Sequence, residues 1–192
     1  MISPNEITDF NRSNDQLEEF ILFCVVVAGK KSIVQAKKLE SWYEAGRNRF
    51  NTKSGFKMIR LYLDEDSLRA SLEAVRMGQY TRICNSFRNL SESNLNLQTC
   101  TIKQLEKIKG IGPKTSRFFA LHSRPEQKVA VLDTHILSWL RAQGYAAPKA
   151  TPQSLKKYGE LETAFLNEAA QRGLSLADMD LEIWRERSNA NT

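Results

Sequence analysis

Cysteine is scarce. Three thiols in 192 residues, Cys24, Cys84 and Cys100, stand far apart with no C-x-x-C pair. Neither a disulfide framework nor a zinc or iron–sulfur site is indicated, and buried thiols are the expected role. Glycine and proline are also few, nine and five, and they fall between periodic segments as punctuation, not as low-complexity sequence. The longest apolar run, Phe20 to Ala28, is far below the roughly 20 residues of a membrane span. Nothing at the start reads as a secretory signal. The expectation is a soluble intracellular protein with no membrane partner, no metal and no cofactor. Neither an internal repeat nor a long linker is seen, and the length suits one globular unit.

What the chain does have is segmental positive charge. The net charge is +6. Residues 30–60 hold nine Lys/Arg against two Asp/Glu and residues 101–157 hold eleven against three, while residues 1–20 and 158–192 are each net −4. Two basic segments between acidic termini can line one phosphate-facing surface, where neutralised phosphates release counterions. Solvated helix faces that share a sign by chance are the alternative.

Apolar spacing is helical nearly throughout, so the predicted fold class is all-α. A first helix runs through Leu17 to Val27 with Asn14 or Asp15 as cap, apolar enough to be buried on most sides. A second spans about Ser32 to Ala45, stopped by Gly46. Further helices are predicted at Phe56–Leu63, Glu65–Val75, Gln79–Leu90, Thr134–Gln143, Pro152–Arg172 and Ser175–Arg187. Thr101 with Gln104 reads as a capping box. The only strand-like run is Val129 to Leu132.

The most informative stretch is Leu105-Glu-Lys-Ile108-Lys109-Gly110-Ile111-Gly112-Pro113-Lys114-Thr115, followed by Phe118, Phe119 and Leu121 at helical spacing. It reads helix, tight turn, helix. The glycines permit positive φ and close backbone approach, Ile111 can plug the hairpin, and Pro113 suits a first helical turn. Free amides at that helix start form an anion site for a DNA phosphate, a contact that positions the strand without reading sequence. A plain helical hairpin with a glycine cap is the alternative. Lys114, in that first turn, opposes the helix dipole. Phosphate can compensate it. Partly desolvated beside Lys107, Lys109 and Arg117, it can also become a neutral amine able to attack a sugar C1′ and form a Schiff base. Nineteen positions on, Val129-Ala-Val-Leu132-Asp133-Thr-His135 places an aspartate as a helix cap. A carboxylate there can stabilise positive charge growing on deoxyribose as a base departs.

Together, Gly-Ile-Gly before Lys114 and Val-Leu before Asp133-Thr-His135 resemble the helix-hairpin-helix/Gly-Pro-Asp DNA glycosylase superfamily, which includes endonuclease III and 8-oxoguanine glycosylase. The likeness is strongest from Thr101 to Arg141. It implies a two-lobed all-α enzyme, with one lobe at 30–133 carrying the hairpin at 101–122 and the other formed by 1–29 with 134–192. Duplex DNA would cross the interlobe cleft with one nucleotide flipped into a pocket. Lys114 would match the Schiff-base lysine and Asp133 the catalytic aspartate. Gly110, Ile111 and Gly112, with Lys109 and Thr115, would grip backbone, while Lys30, Lys31, Gln79 and Tyr80 match the segments that wedge into the duplex. His135 and Trp184 are candidate pocket residues, with helix-start and packing roles as their alternatives. No cysteine follows Cys100, so the iron–sulfur loop of endonuclease III-type relatives has no counterpart. The implied activity is base-excision repair by a monomeric glycosylase with AP lyase activity on a damaged, oxidised base, nucleoid-associated in a bacterial host. A base-modification enzyme on the same scaffold and a non-catalytic hairpin module are the competing readings.

Overall fold

The composition of the first periodic segment dictates where it must sit. In the helix α1 (Asn14–Val26), Leu17 and every residue from Phe20 to Val26 are buried, so little of it is left for solvent. The computed structural model describes residues 2–189, and every regular element among them is a helix. α1 is capped by Ser13, whose hydroxyl accepts from the Gln16 amide while the Gln16 side chain takes the Ser13 amide. This corrects the expected cap at Asn14 or Asp15. Glutamine three residues on closes a reciprocal capping box only with Ser13.

The second helix, α2 (Ser32–Phe50), passes straight through Gly46. That glycine faces α3 (Gly55–Asp64), where a Cβ would stand 2.0 Å from Met58 Sδ. Its role is close packing, and the stop lies at Asn51, left-handed at φ 50° with its amide bonded to Arg47 O. α4 (Leu68–Ala74) and α5 (Tyr80–Glu92) follow, with Gln79 as a left-handed cap at φ 48°. The hairpin pair is α6 (Ile102–Glu106), opened by the expected Thr101–Gln104 capping box, and α7 (Pro113–Ser123). α8 (Thr134–Ala142), α9 (Leu155–Arg172) and α10 (Leu176–Asn189) complete the order. α9 begins behind a Ser154 cap that accepts from Lys157 N, later than the Pro152 predicted.

Buried side chains form two large clusters. One runs from α1 to α7 with Ile7 and Leu181; the other joins α8, α9 and α10 to Ala130 and Leu132. α1, grouped with the C-terminal half in the expected lobe division, packs against α2, α3, α5 and α7. Leu121, Val129, Val131 and Ala177 make a small third cluster. The strand-like run at 129–132 forms no strand among the described residues. Side chains serve its backbone instead. Tyr158 Oη donates to Ala130 O at 2.8 Å and accepts from Leu132 N at 3.2 Å. Glu162 Oε1 takes Ala130 N at 3.0 Å, and Thr151 Oγ1 donates to Leu132 O. Each buried backbone group left unpaired would cost about 1–3 kcal/mol, so α9 clamps the segment that delivers Asp133. The N-terminal segment is pinned behind α7 by Arg12, which donates to the carbonyls of Ile7, Asp9 and His122.

Candidate active site

The two glycines of the hairpin have different surroundings. Gly110 has φ +102°, and a Cβ there would lie 2.2 Å from Ser86 Oγ on α5. Asn89 of α5 also donates to Lys109 O, while Ile111 is buried beneath the turn. Gly112 has ordinary extended backbone and nothing within 4 Å of a Cβ. The space beside it adjoins the first-turn amides of α7, which have no partner within the helix, and would admit a group from outside. Gly110→Ala should lower stability by about 1–3 kcal/mol. Gly112→Ala should leave the thermal melt in place and weaken duplex binding severalfold by titration. Equal effects of the two changes on the melt would contradict this division of labour.

Lys114 is half-buried in the first turn of α7 and opens into a cleft of about 650 Å³. Asp133, His135, Trp184, Lys30 and Lys31 line the same cleft. Residues far apart in sequence are thus collected by α7, by the cap of α8, by α10 and by the turn after α1. Asp133 is the cap as predicted, and its Oδ1 accepts from His135 N at 2.8 Å and Ile136 N at 3.0 Å. Both bonds fall on one oxygen. The carboxylate is thereby fixed and stabilised by the helix start, with Oδ2 spared for another partner.

The cationic surroundings expected for Lys114 differ in one respect. Arg117 turns away to Glu106 at 2.6 Å and Glu162 at 2.8 Å and stacks on the Tyr158 ring. Burial would lower its guanidinium, but the bonds to Glu162 and Glu106 outweigh that and raise it. Its charge belongs to the joint between α6, α7 and α9. Lys107 and Lys109 are exposed on the hairpin, and Thr115 is buried, leaving its backbone amide as its route to a phosphate. Gln79 and Tyr80 lie outside the cleft lining. Gln79 Nε2 donates to Ala28 O at 3.5 Å, and Arg82 holds Gln79 Oε1 at 2.6 Å, so this strained residue stands beside the turn bearing Lys30.

Asp180 was not foreseen. It is buried and lines the cleft, with Oδ2 3.2 Å from His122 Nε2, and burial pushes its carboxyl upward against the opposing pull of His122. A carboxylate within the buried stripe Met179, Leu181 and Ile183 was the available signal, because buried charge demands a partner. Among the described residues no cluster of three metal-ligating side chains forms, and no helix is long and apolar enough to cross a membrane.

No family model matches the chain. Its sequence is 26% identical over 188 residues to the 8-oxoguanine DNA glycosylase/AP lyase of Methanocaldococcus jannaschii, covering 93% of this chain and 83% of that protein. Two crystal structures from that organism have the same fold. One, its 8-oxoguanine DNA glycosylase, matches with TM-score 0.67 and 22% identity over 96% of this chain and 84% of the other. The second, an 8-oxoguanine glycosylase/lyase in complex with 15mer DNA containing 8-oxoguanine, matches with TM-score 0.69 and 21% identity over 97% and 87%. The all-helical architecture agrees with these structures, and the chain has the fold of the Methanocaldococcus jannaschii 8-oxoguanine DNA glycosylase.

Proposed function

We propose that this protein is a DNA glycosylase with AP lyase activity that removes an oxidised base of the 8-oxoguanine type from duplex DNA. The observation that carries the proposal is the meeting of Lys114 and Asp133 in one cleft behind a phosphate-gripping hairpin. The likeness to an 8-oxoguanine glycosylase/AP lyase supports the substrate class. The two lobes, 30–133 and 1–29 with 134–192, would flank the cleft. Duplex would lie across it as partner of a monomer, one nucleotide turned inward.

In this mechanism the Lys114 amine attacks C1′ of the flipped nucleotide, the C1′–N bond breaks, and the base leaves with the electron pair. Asp133 stabilises the positive charge that develops on the sugar. The proton lost from Nζ goes to the departing base. As the C1′–O4′ bond breaks, O4′ takes a proton from water and an iminium forms between Nζ and C1′; removal of a C2′ proton then expels the 3′ phosphate and cuts the strand, and water hydrolyses the Schiff base to free Lys114. Lys30 and Lys31, with Gln79 and Tyr80 behind them, would fill the duplex around the extruded nucleotide. Trp184 and His135, which line the cleft, would form part of the base pocket, Trp184 by stacking.

A panel of duplexes carrying 8-oxoguanine, thymine glycol, uracil or an abasic site tests the proposal. Release of free 8-oxoguanine with strand scission is expected, faster than release of uracil. Retention of every base while the duplexes are bound would contradict it.

A further inference from the structure

Lys114 and Asp133 project from elements that belong to different buried clusters. Phe119, on the helix of Lys114, is part of the cluster that begins at α1, whereas Leu132, next to Asp133, packs with Leu161 and Phe165 of α9. Apolar contact between such clusters sets a distance only loosely, because it carries no direction. Directed bonds join them at Glu162 of α9. Its Oε1 accepts from Arg117 Nε at 2.8 Å and from the Ala130 amide at 3.0 Å. Arg117 stands three residues after Lys114 and Ala130 three before Asp133, so one carboxylate oxygen is bonded to both arms of the site.

Each arm is stiff on its own side of that oxygen. Arg117 also donates to Glu106 Oε1 at 2.6 Å and to Pro113 O at 3.3 Å, and Ser116 Oγ lies 3.0 Å from each of those two oxygens. The turn that bears Lys114 is thus gripped before and after the lysine. On the other arm Tyr158 holds Ala130 O and Leu132 N, Thr151 holds Leu132 O, and the Asp133 amide closes onto Val131 O at 2.6 Å. The side chains of Arg117 and Glu162 are 14% and 17% exposed. Taking two charges out of water to that depth offsets much of what their pairing returns, and well-packed apolar side chains of similar volume hold such a joint as firmly. They do not fix its geometry, as charge-assisted bonds do.

Resting on the glycosylase reading, we infer that Glu162, through Arg117 and Ala130, is the positioning residue that sets the separation of the Lys114 amine from the Asp133 carboxylate. Neither Glu162 nor Arg117 lines the cleft, so both act through the residues that do. The amine must reach C1′ of the same sugar on which Asp133 stabilises developing charge, and a misplacement of about 1 Å in such an arrangement costs on the order of 10²-fold in rate.

The test reads single-turnover base release from an 8-oxoguanine duplex at saturating protein, beside the duplex Kd. Glu162→Ala should slow release roughly 10- to 100-fold and leave Kd within about threefold of wild type. Glu162→Gln, whose amide oxygen accepts from both Arg117 and Ala130, should recover most of the rate. A general weakening of the fold is separated from positioning by combining the change with Asp133→Asn. Once the carboxylate charge is gone its placement matters little, so Glu162→Ala should slow the Asp133→Asn protein by less than about threefold further. Should Glu162→Ala melt below the assay temperature, Arg117→Lys takes its place under the same rate, Kd and Asp133→Asn criteria, because one amine does not reproduce the two directions of the guanidinium. Release within about threefold of wild type, a Kd that weakens in step with the rate, no recovery in Glu162→Gln, or the full loss repeated in the Asp133→Asn protein overturns the inference alone. Asp133→Asn releasing base at the wild-type rate removes the aspartate from the chemistry and overturns the inference too. A wild-type protein that releases no base overturns the glycosylase reading and this inference with it.

Discussion

Lys114→Gln is expected to lose base excision and strand scission together, each by about 10³-fold or more, because it removes the nucleophile on which both steps depend. Glutamine is one atom shorter but keeps a polar end at a half-buried position and removes a cation that opposes the dipole of α7, so the fold should be about as stable. Duplex affinity should fall only severalfold, since one phosphate-range contact is a small share of the interface. Stopped assays on 8-oxoguanine and abasic duplexes, beside a binding titration, separate these effects. A variant that binds poorly but cuts whatever it binds would reduce Lys114 to a phosphate contact. Scission lost with excision intact would mean that water, not the lysine, displaces the base.

Asp133→Asn should cost excision on the order of 10²- to 10³-fold, the loss that follows when charge developing in a transition state loses a preorganised partner. The cap itself should survive. Asparagine and aspartate rank alike as N-caps, and the side-chain oxygen that accepts from His135 N and Ile136 N is present in both. The melting temperature should therefore stay close to wild type while activity collapses. Parallel losses of stability and activity would return Asp133 to a purely structural cap. Unchanged excision would remove Asp133 from the chemistry, duplex binding without excision by the wild-type protein would favour the non-catalytic hairpin module, and base exchange without release would favour the base-modification scaffold.

The hairpin and its aspartate were legible in sequence because each rests on a local rule. Thr101–Gln104, Gly110 and Pro113 mark helix ends through contacts within a few residues, and Asp133 caps the helix that begins beside it. Long-range packing was not legible. Gly46 reads locally as a stop, but its lack of a side chain is used by Met58 of the neighbouring helix, and α2 runs on. Arg117 reads locally as a neighbour of Lys114, but two carboxylates from separate helices take its charge. The same limit hid the pairing of Asp180 with His122, 58 positions apart. A buried carboxylate declares that it needs a partner, and only the fold says which one.

The central claim is that the amine of Lys114 becomes covalently bonded to deoxyribose C1′ during turnover. Borohydride trapping of the wild-type protein on an 8-oxoguanine duplex, followed by proteolysis and mass mapping of the cross-linked peptide, measures that bond directly. The predicted result is a single adduct, with the deoxyribose-derived mass on Lys114 and no trapped complex from Lys114→Gln. A trapped mass on another lysine, such as Lys30 or Lys31 in the same cleft, or base release with no trappable complex, would contradict the assignment.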